Sequence, residues 1–388
     1  MRLLLLSSEF PPGPGGIGTH AYQLARTLTA LGWEVAVLTA QDHASEDEVR
    51  AFNSVQPFEV LRLPSGSSTG RLRKALMRWL EIRRAIRARQ PDVILASGQR
   101  IVWLAALAAR WRRVPWAAVG HGTEFGSGGT LDRVLTRWSF QQADRVICVS
   151  EFTLGLMLRA GIRPRSQQVI ANGADATRFT LWPAGKRQAL REALGLGTAP
   201  VLLTVGNVTE RKGQDIVIRA LPRVLEAVPD VQYVIAGLPT QREAFEALAA
   251  ELGVGEHVHF TGRVDSETLV GLMNICDLFI MTSRHVQGDV EGYGIAVVEA
   301  ALCGKAAVVS ANSGLVEAIV EGETGLSVPE GDPDATAEAI CALLTDDARR
   351  QRMGEAARAR ALAEQTWERR ARAYDASLKE LAAPTGSV

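Results

Sequence analysis

Two doubly wound α/β domains are predicted by three features of this chain. Short apolar runs recur along its 388 residues, patterns of helical period fill most gaps between them, and the runs are continuous rather than alternating. Continuous apolar strands between helices mean parallel sheets covered on both faces. The length provides for about two domains, each large enough for its own core.

In the first half, residues 3–7, 35–39, 58–63, 93–96, 117–120, 145–149 and 168–171 read as strands. In the second half, residues 201–205, 231–236, 257–261, 278–281 and 306–310 do the same. Helical patterns run between them, as at 19–31 and 214–228. The linker is expected at 178–185, which gives domains 1–180 and 181–366 facing a cleft. The chain shows no internal repeat and no low-complexity tract.

Four scattered cysteines without ligand spacing read as reduced cytosolic thiols. The apolar run at the N-terminus is too short for a signal peptide or a span, and no 18-residue apolar stretch follows, so a cytoplasmic location is expected. The formal net charge is zero, yet residues 1–180 hold 23 Arg/Lys against 14 Asp/Glu. That +9 is balanced by −9 in the remainder, a reason to look for a polyanion or membrane surface near the first domain.

The most informative stretch runs from Glu291 to Gly304. After Gly294 it reads as a helix over 295–303, closed by Gly304. Its residues are nearly all apolar, so the helix should be buried on all sides. Glu299 lies in its middle and must have polar partners or stay uncharged. Glu291 precedes the helix, on the order of 12 Å from Glu299 along the axis. The helix N-terminus between them suits an anion, so hydroxyls at both ends and phosphate between would fit, as in a nucleotide sugar. A core helix with one satisfied structural Glu remains the alternative.

In the first loop, Gly13, Gly15 and Gly18 spell G-x-G-x-x-G, but Pro14 interrupts it and no acid stands at the end of the second strand. What remains is small residues, Gly15 and Gly16 among them, letting backbone approach a ligand at a helix N-terminus. Arg71–Arg89 is a basic amphipathic helix: Leu72, Leu76, Trp79, Leu80 and Ile86 recur at helical spacing, and eight basic residues face one acid, Glu81. Its stripe suits either an anionic membrane surface or packing on the sheet. Nucleic acid is disfavoured, since aromatic interleaving and known motifs are absent.

His121 stands at the carboxyl end of the 117–120 strand, where α/β ligands bind, although a lone His is more often structural. Arg211 and Lys212 are adjacent cations in a Gly-bounded loop leading into a helix, which suits pyrophosphate or a solvated charge pair. Asp332-Pro333-Asp334 matches an Asp-x-Asp metal motif but directly precedes a helix, so it reads as an N-cap. No metal site is expected.

Together Gly15-Gly16, His121, Arg211-Lys212-Gly213 and the pair Glu291/Glu299 resemble the family four retaining glycosyltransferases of GT-B fold, to which glycogen synthases and bacterial lipid mannosyltransferases are related. The resemblance runs from Leu3 to about Tyr374, with Asn172-Gly173-Ala174-Asp175 and the segment Trp367 to Tyr374 as further signatures. The long segment from Thr282 to Gly292 looks most like the phosphatidylinositol-mannoside mannosyltransferase branch.

The resemblance implies that Lys212, with Arg211, neutralises the donor pyrophosphate, Glu291 faces the donor sugar and Glu299 bonds the ribose. His121 would contact the transferred sugar, and Gly15, Gly16 and Gly294 would leave backbone for the donor. Many members have Gly-Arg where this chain has Gly206-Asn207, which leaves Arg211 more of the load beside Asn207. A helix at about 367–388 would pack back on the first domain. The implied reaction moves a hexose from GDP-mannose or a UDP-hexose to a hydroxyl of a sugar or lipid-linked acceptor, with retention and without cofactor or metal. The enzyme would be peripheral at the inner face of the membrane. The alternatives are a nucleotide-sugar epimerase of the same architecture and a non-catalytic nucleotide-sugar binding protein.

Overall fold

A computed structural model describes residues 1–13, 15–40, 44–63, 70–112 and 114–383, without the side chains of residues 71 and 110–112. Pro14, which breaks the glycine motif, lies outside the described residues. The chain divides into two units, Met1–Asn172 with Trp367–Val388, and Gly173–Thr366.

The first unit holds a seven-stranded parallel sheet. Its strands are β1 (Arg2–Ser7), β2 (Glu34–Thr39), β3 (Glu59–Arg62), β4 (Val93–Ser97), β5 (Trp116–Gly120), β6 (Arg145–Cys148) and β7 (Gln167–Val169), in the order β3-β2-β1-β4-β5-β6-β7. The second unit holds a six-stranded parallel sheet of β8 (Val201–Val205), β9 (Gln232–Ala236), β10 (Val258–Gly262), β11 (Leu278–Met281), β12 (Ala307–Ser310) and β13 (Gly325–Val328), ordered β10-β9-β8-β11-β12-β13. The central strands are buried on both faces, as their continuous apolar sequences require: Leu3–Leu6 and Leu202, Leu203, Phe279 and Ile280 are at most 1% exposed. In each sheet the strand order reverses once, between β1 and β4 and between β8 and β11. The crevice at the carboxyl ends of such a pair is where doubly wound sheets take ligands.

Three expectations are corrected. Strand β13 has no counterpart in the sequence reading, because it is four residues long and begins on a glycine that belongs there for packing. A Cβ on Gly325 would lie 2.6 Å from the Ala307 carbonyl oxygen. Residues 173–180 belong with the second unit, not the first. The Ala174 N–H donates to the Gln365 carbonyl at 2.9 Å, and Phe179 is buried. The expected linker is docked too, the Trp182 N–H donating to Asn274 Oδ1 at 2.7 Å. Lastly, helix Ile295–Leu302 is not buried all round. Val297, Val298 and 300–302 are buried, whereas Ile295, Ala296 and Glu299 are only half-buried. Positions 295 and 299 share a face one turn apart. The carboxylate therefore lies on the open stripe of an otherwise apolar helix.

Helix Trp367–Ala382 lies with the first unit, against helix Gly16–Ala30. Trp367, Tyr374 and Leu378 are buried there, each large side chain contributing roughly 2–3 kcal/mol by removal from water. Trp33 Nε1 donates to Asp375 at 2.7 Å, and Arg145 reaches the Ser377 carbonyl at 2.9 Å.

Candidate donor and sugar site

The loop after β8 carries the predicted cations in a single 3₁₀ turn, Glu210–Lys212, ended by Gly213 at φ +71°. Gly213 is required twice over. Its backbone is left-handed, and a Cβ would fall 1.9 Å from the Thr282 carbonyl oxygen at the end of β11. The close approach is closed by Thr282 Oγ1, which donates to the Gly213 carbonyl at 2.8 Å. Thus the β8 loop and the β11 end are locked together at the point of strand reversal. The buried Gln214 opens the next helix and braces the loop, its Nε2 donating to the Asn207 carbonyl at 3.0 Å. Asn207 itself is exposed.

The structure brings Glu291 onto these cations. Lys212 Nζ donates to Glu291 Oε2 at 2.5 Å, and Arg211 donates to the same oxygen at 3.0 Å. Burial would raise the Glu291 carboxyl, but Lys212 and Arg211 outweigh it and hold it below the usual carboxylate range. Main-chain packing fixes this carboxylate as well. The Gly314 N–H donates to the Glu291 carbonyl at 2.9 Å, and a Cβ on Gly314 would lie 1.9 Å from the Gly292 oxygen. Gly294, at φ +82°, then turns the chain into helix Ile295–Leu302. Burial pushes the Glu299 carboxyl up to about 7, with Arg178 opposing and Asp175 reinforcing the shift. Two glutamates eight residues apart thus have opposite electrostatics: one is a firm anion, the other titrates near neutrality.

In the first unit, Gly15 at φ +139° caps helix Gly16–Ala30. A Cβ on Gly16 would meet nothing within 4 Å, so packing within the chain does not explain that glycine. His121 stands at the end of β5, with Nε2 2.8 Å from Ser97 Oγ at the end of β4. The His121 N–H donates to Glu124 at 2.6 Å. Burial holds the imidazole neutral, down to about 4. Sequence reasoning missed a ring neighbour of His121, the fully buried His20, whose ring meets it edge-on with centroids 5.1 Å apart. His20 Nε2 lies 3.1 Å from the Tyr374 hydroxyl, and burial together with His121 lowers its pKa well below the usual value. The signal available was a histidine one turn into an apolar helix, together with the aromatic spacing of Trp367 and Tyr374.

Sequence reasoning also missed Asp289 and Arg284. Arg211 Nε pairs with Asp289 at 3.1 Å, and Arg284 bridges Glu210 at 3.2 Å and Asp215 at 3.0 Å. Asp332 Oδ1 accepts from the Ala335 N–H at 2.9 Å, the N-cap geometry its position implied.

Comparison with known proteins shows the family and the fold. Residues 14–178 match the family model described as Glycosyltransferase Family 4, and residues 186–360 match that described as Glycosyl transferases group 1. A GDP-mannose-dependent alpha-(1-6)-phosphatidylinositol monomannoside mannosyltransferase of Mycolicibacterium smegmatis is 31% identical over 375 residues, spanning 95% of this chain and 96% of that protein. A glycogen synthase of Mycobacterium tuberculosis is 30% identical over 400 residues, spanning 95% and 92%. Among solved structures, Anabaena Alr3699/HepE in complex with UDP and glucose superposes with a TM-score of 0.83 at 22% identity, covering 98% of this chain and 100% of that one. Sucrose-phosphate synthase of Thermosynechococcus elongatus gives 0.79 at 23% identity, covering 98% of each chain.

Proposed function

The chain belongs to the group 1 and family 4 glycosyltransferases and has their GT-B fold, and from that premise we propose that it transfers a hexose from a nucleoside-diphosphate sugar to an acceptor hydroxyl with retention of configuration. The observation that carries the reading is the convergence of Lys212 and Arg211 on Glu291 at the strand reversal of the second sheet. Charge-assisted bonds from two fixed cations stabilise a departing diphosphate, the largest demand of the reaction. That charge work needs no metal ion, and the proposed enzyme acts without one. Glu299, on the half-open stripe of its helix, bonds the ribose hydroxyls. His121, neutral at physiological pH, reaches the transferred sugar without setting a cation beside the positive charge that develops on it. The leaving phosphate helps remove the acceptor proton, so no protein nucleophile is required.

GDP-mannose is the donor named for the mycolicibacterial relative, and a phosphatidylinositol mannoside its acceptor. We take GDP-mannose and a lipid-linked hydroxyl as the first choices here. The helix Arg71–Arg89 supports a lipid acceptor. Its apolar residues do not form one packed stripe. Ile82, Ala85 and Ile86 face the core, whereas Leu72, Leu76, Met77 and Leu80 are exposed, Leu72 by 88%. Sheet packing therefore does not account for the first half of the helix. Arg83 stacks on the half-buried Trp79 at 4.4 Å. No helix among the described residues is long and apolar enough to cross a membrane, so contact would be at the surface.

A thermal-shift screen of nucleotide sugars tests the reading, since a ligand of the folded state raises the melting temperature. GDP-mannose or a UDP-hexose should shift it and NAD should not. Lys212→Ala should abolish the shift and slow turnover roughly 10²–10³-fold, as removal of one preorganised donor typically does. Wild-type turnover in that variant would remove Lys212 from the site.

A further inference from the structure

The amino edge of the second sheet carries positive charge that the donor site does not use. Asp277 stands there, just before β11. One of its oxygens accepts from the Val201 N–H at 2.8 Å and from Arg191 at 3.2 Å. Arg350 approaches the other oxygen at 4.0 Å and pairs with the exposed Asp347 at 2.8 Å. Arg191 belongs to helix Ala184–Ala193 and Arg350 to helix Asp347–Glu364, so two helices converge on this edge.

The same helix faces carry a second pair of arginines. Arg187 lies one turn before Arg191, and Arg358 two turns after Arg350 with Gly354 between them. Gly354 lets its helix press on residues 304–306. A Cβ there would lie 2.3 Å from the Gly304 carbonyl oxygen and 3.4 Å from the Ala306 nitrogen. Arg358 is held over the same segment, its Cδ 3.9 Å from where a Cβ on Gly304 would stand. The next residue, Lys305, is only 9% exposed. Burial lowers the pKa of its ammonium and Arg187 adds to that, against Cys276 and Asp277.

Among the described residues, none of these three side chains has a hydrogen-bonding or ion-pair partner, and the Nε–H groups of Arg187 and Arg358 are sealed from solvent. Sealed donors and a nine-tenths buried ammonium are costly to leave unmatched. Like charges gathered without a counter-charge repel as well. One anion with several acceptor oxygens removes both costs. A sugar hydroxyl brings no charge, whereas a phosphate group brings charge and oxygens together.

We propose that Lys305, Arg187 and Arg358 form an anion site for a phosphate group, free or as the phosphomonoester of a small ligand. The site lies where β8, β11 and β12 begin, whereas the loops with Lys212, Arg211 and Glu291 follow the carboxyl ends of β8 and β11. The five residues of β8 separate the two places by about 16 Å, so one can fill without blocking the other.

Titration calorimetry and thermal shift test this with sodium phosphate and glycerol 3-phosphate, against sodium chloride at matched ionic strength. Both are run on the Lys212→Ala background, which keeps anion capture at the donor site out of the signal. Phosphate should bind at one site and raise the melting temperature beyond chloride. Arg187→Gln and Arg358→Gln should each weaken binding roughly tenfold or more, as loss of a hydrogen bond to a charged group does. Lys305→Met should raise the melting temperature without phosphate, because an unmatched buried charge is gone, and abolish the response to phosphate. The arginine variants carry the test if Lys305→Met fails to fold. Glycerol 3-phosphate binding at least as tightly as phosphate assigns a phosphomonoester, and weaker binding assigns free phosphate. No response beyond chloride, or a response that all the substitutions leave intact, overturns the proposal.

Discussion

At the scale of single residues, each unit contains ionisable groups whose surroundings shift them from their ordinary values. Glu299 titrates near 7 because it is desolvated on an apolar helix, with only Arg178 opposing. A carboxyl raised above its unfolded pKa weakens the fold as pH climbs from about 4.5 through about 7, because its ionised form is the desolvated one. Glu299→Gln should therefore keep or slightly raise the melting temperature at pH 8 while lowering affinity for the nucleotide. Unchanged nucleotide affinity would make Glu299 structural only. The histidines have the opposite sign. His121 is lowered to about 4 by burial, and His20 is lowered by burial and by His121. The unfolded chain takes up these protons near pH 6.5 and the folded chain does not, so stability present above that pH is lost on acidification towards 4. For His121 alone the loss is roughly 2 kcal/mol by pH 5, at about 1.4 kcal/mol per unit. Urea unfolding at pH 7 and pH 5 measures it, and His121→Gln should flatten that part of the slope. An equal slope in the variant would contradict the assignment.

At the scale of elements, much was legible because strand runs and glycine punctuation are local. Twelve of the strands lie where apolar runs predicted them, and Gly213, Gly294 and Gly304 stand at left-handed turns. The thirteenth, Gly325–Val328, was not legible, since only packing against Ala307 makes its glycine a strand residue. For the same reason Glu291, Lys212 and Arg211 were each singled out, but their mutual pairing was not. It depends on the register of β8 against β11, across about eighty residues of sequence. His20 was missed because its partners Trp367 and Tyr374 come from the far end of the chain. Helix Arg71–Arg89 shows the limit of periodicity. The spacing gave one stripe, whereas the fold buries only Ile82, Ala85 and Ile86 and exposes Leu72, Leu76 and Leu80. Co-sedimentation with vesicles tests what that face does. Binding should appear with anionic lipid, weaken at high salt, and fall when Arg73, Lys74 and Arg78 become Glu, each basic residue contributing about 1 kcal/mol. Absence of sedimentation at low salt would favour a sugar or small-molecule acceptor.

At the scale of the whole molecule, the chain passes between its two units twice, at Asn172/Gly173 and at Thr366/Trp367. The two passages run side by side, Ala174 pairing with Thr366. The returning helix Trp367–Ala382 then packs the Tyr374 hydroxyl against His20, itself against His121. The first unit thus completes the surroundings of His121 only with the last helix of the chain. The second unit builds the cation cluster from loops that follow β8 and β11. Hexose transfer with retention, driven by fixed cations rather than a metal, is the claim that joins these parts. Its most direct test is proton NMR of the purified protein with GDP-mannose or a UDP-hexose, in excess chelator, with phosphatidylinositol lipid present. The donor should be consumed, and the sugar should appear first with the anomeric configuration it had in the donor. First appearance of the inverted anomer, or consumption that chelator abolishes and Mg²⁺ or Mn²⁺ restores, would contradict it.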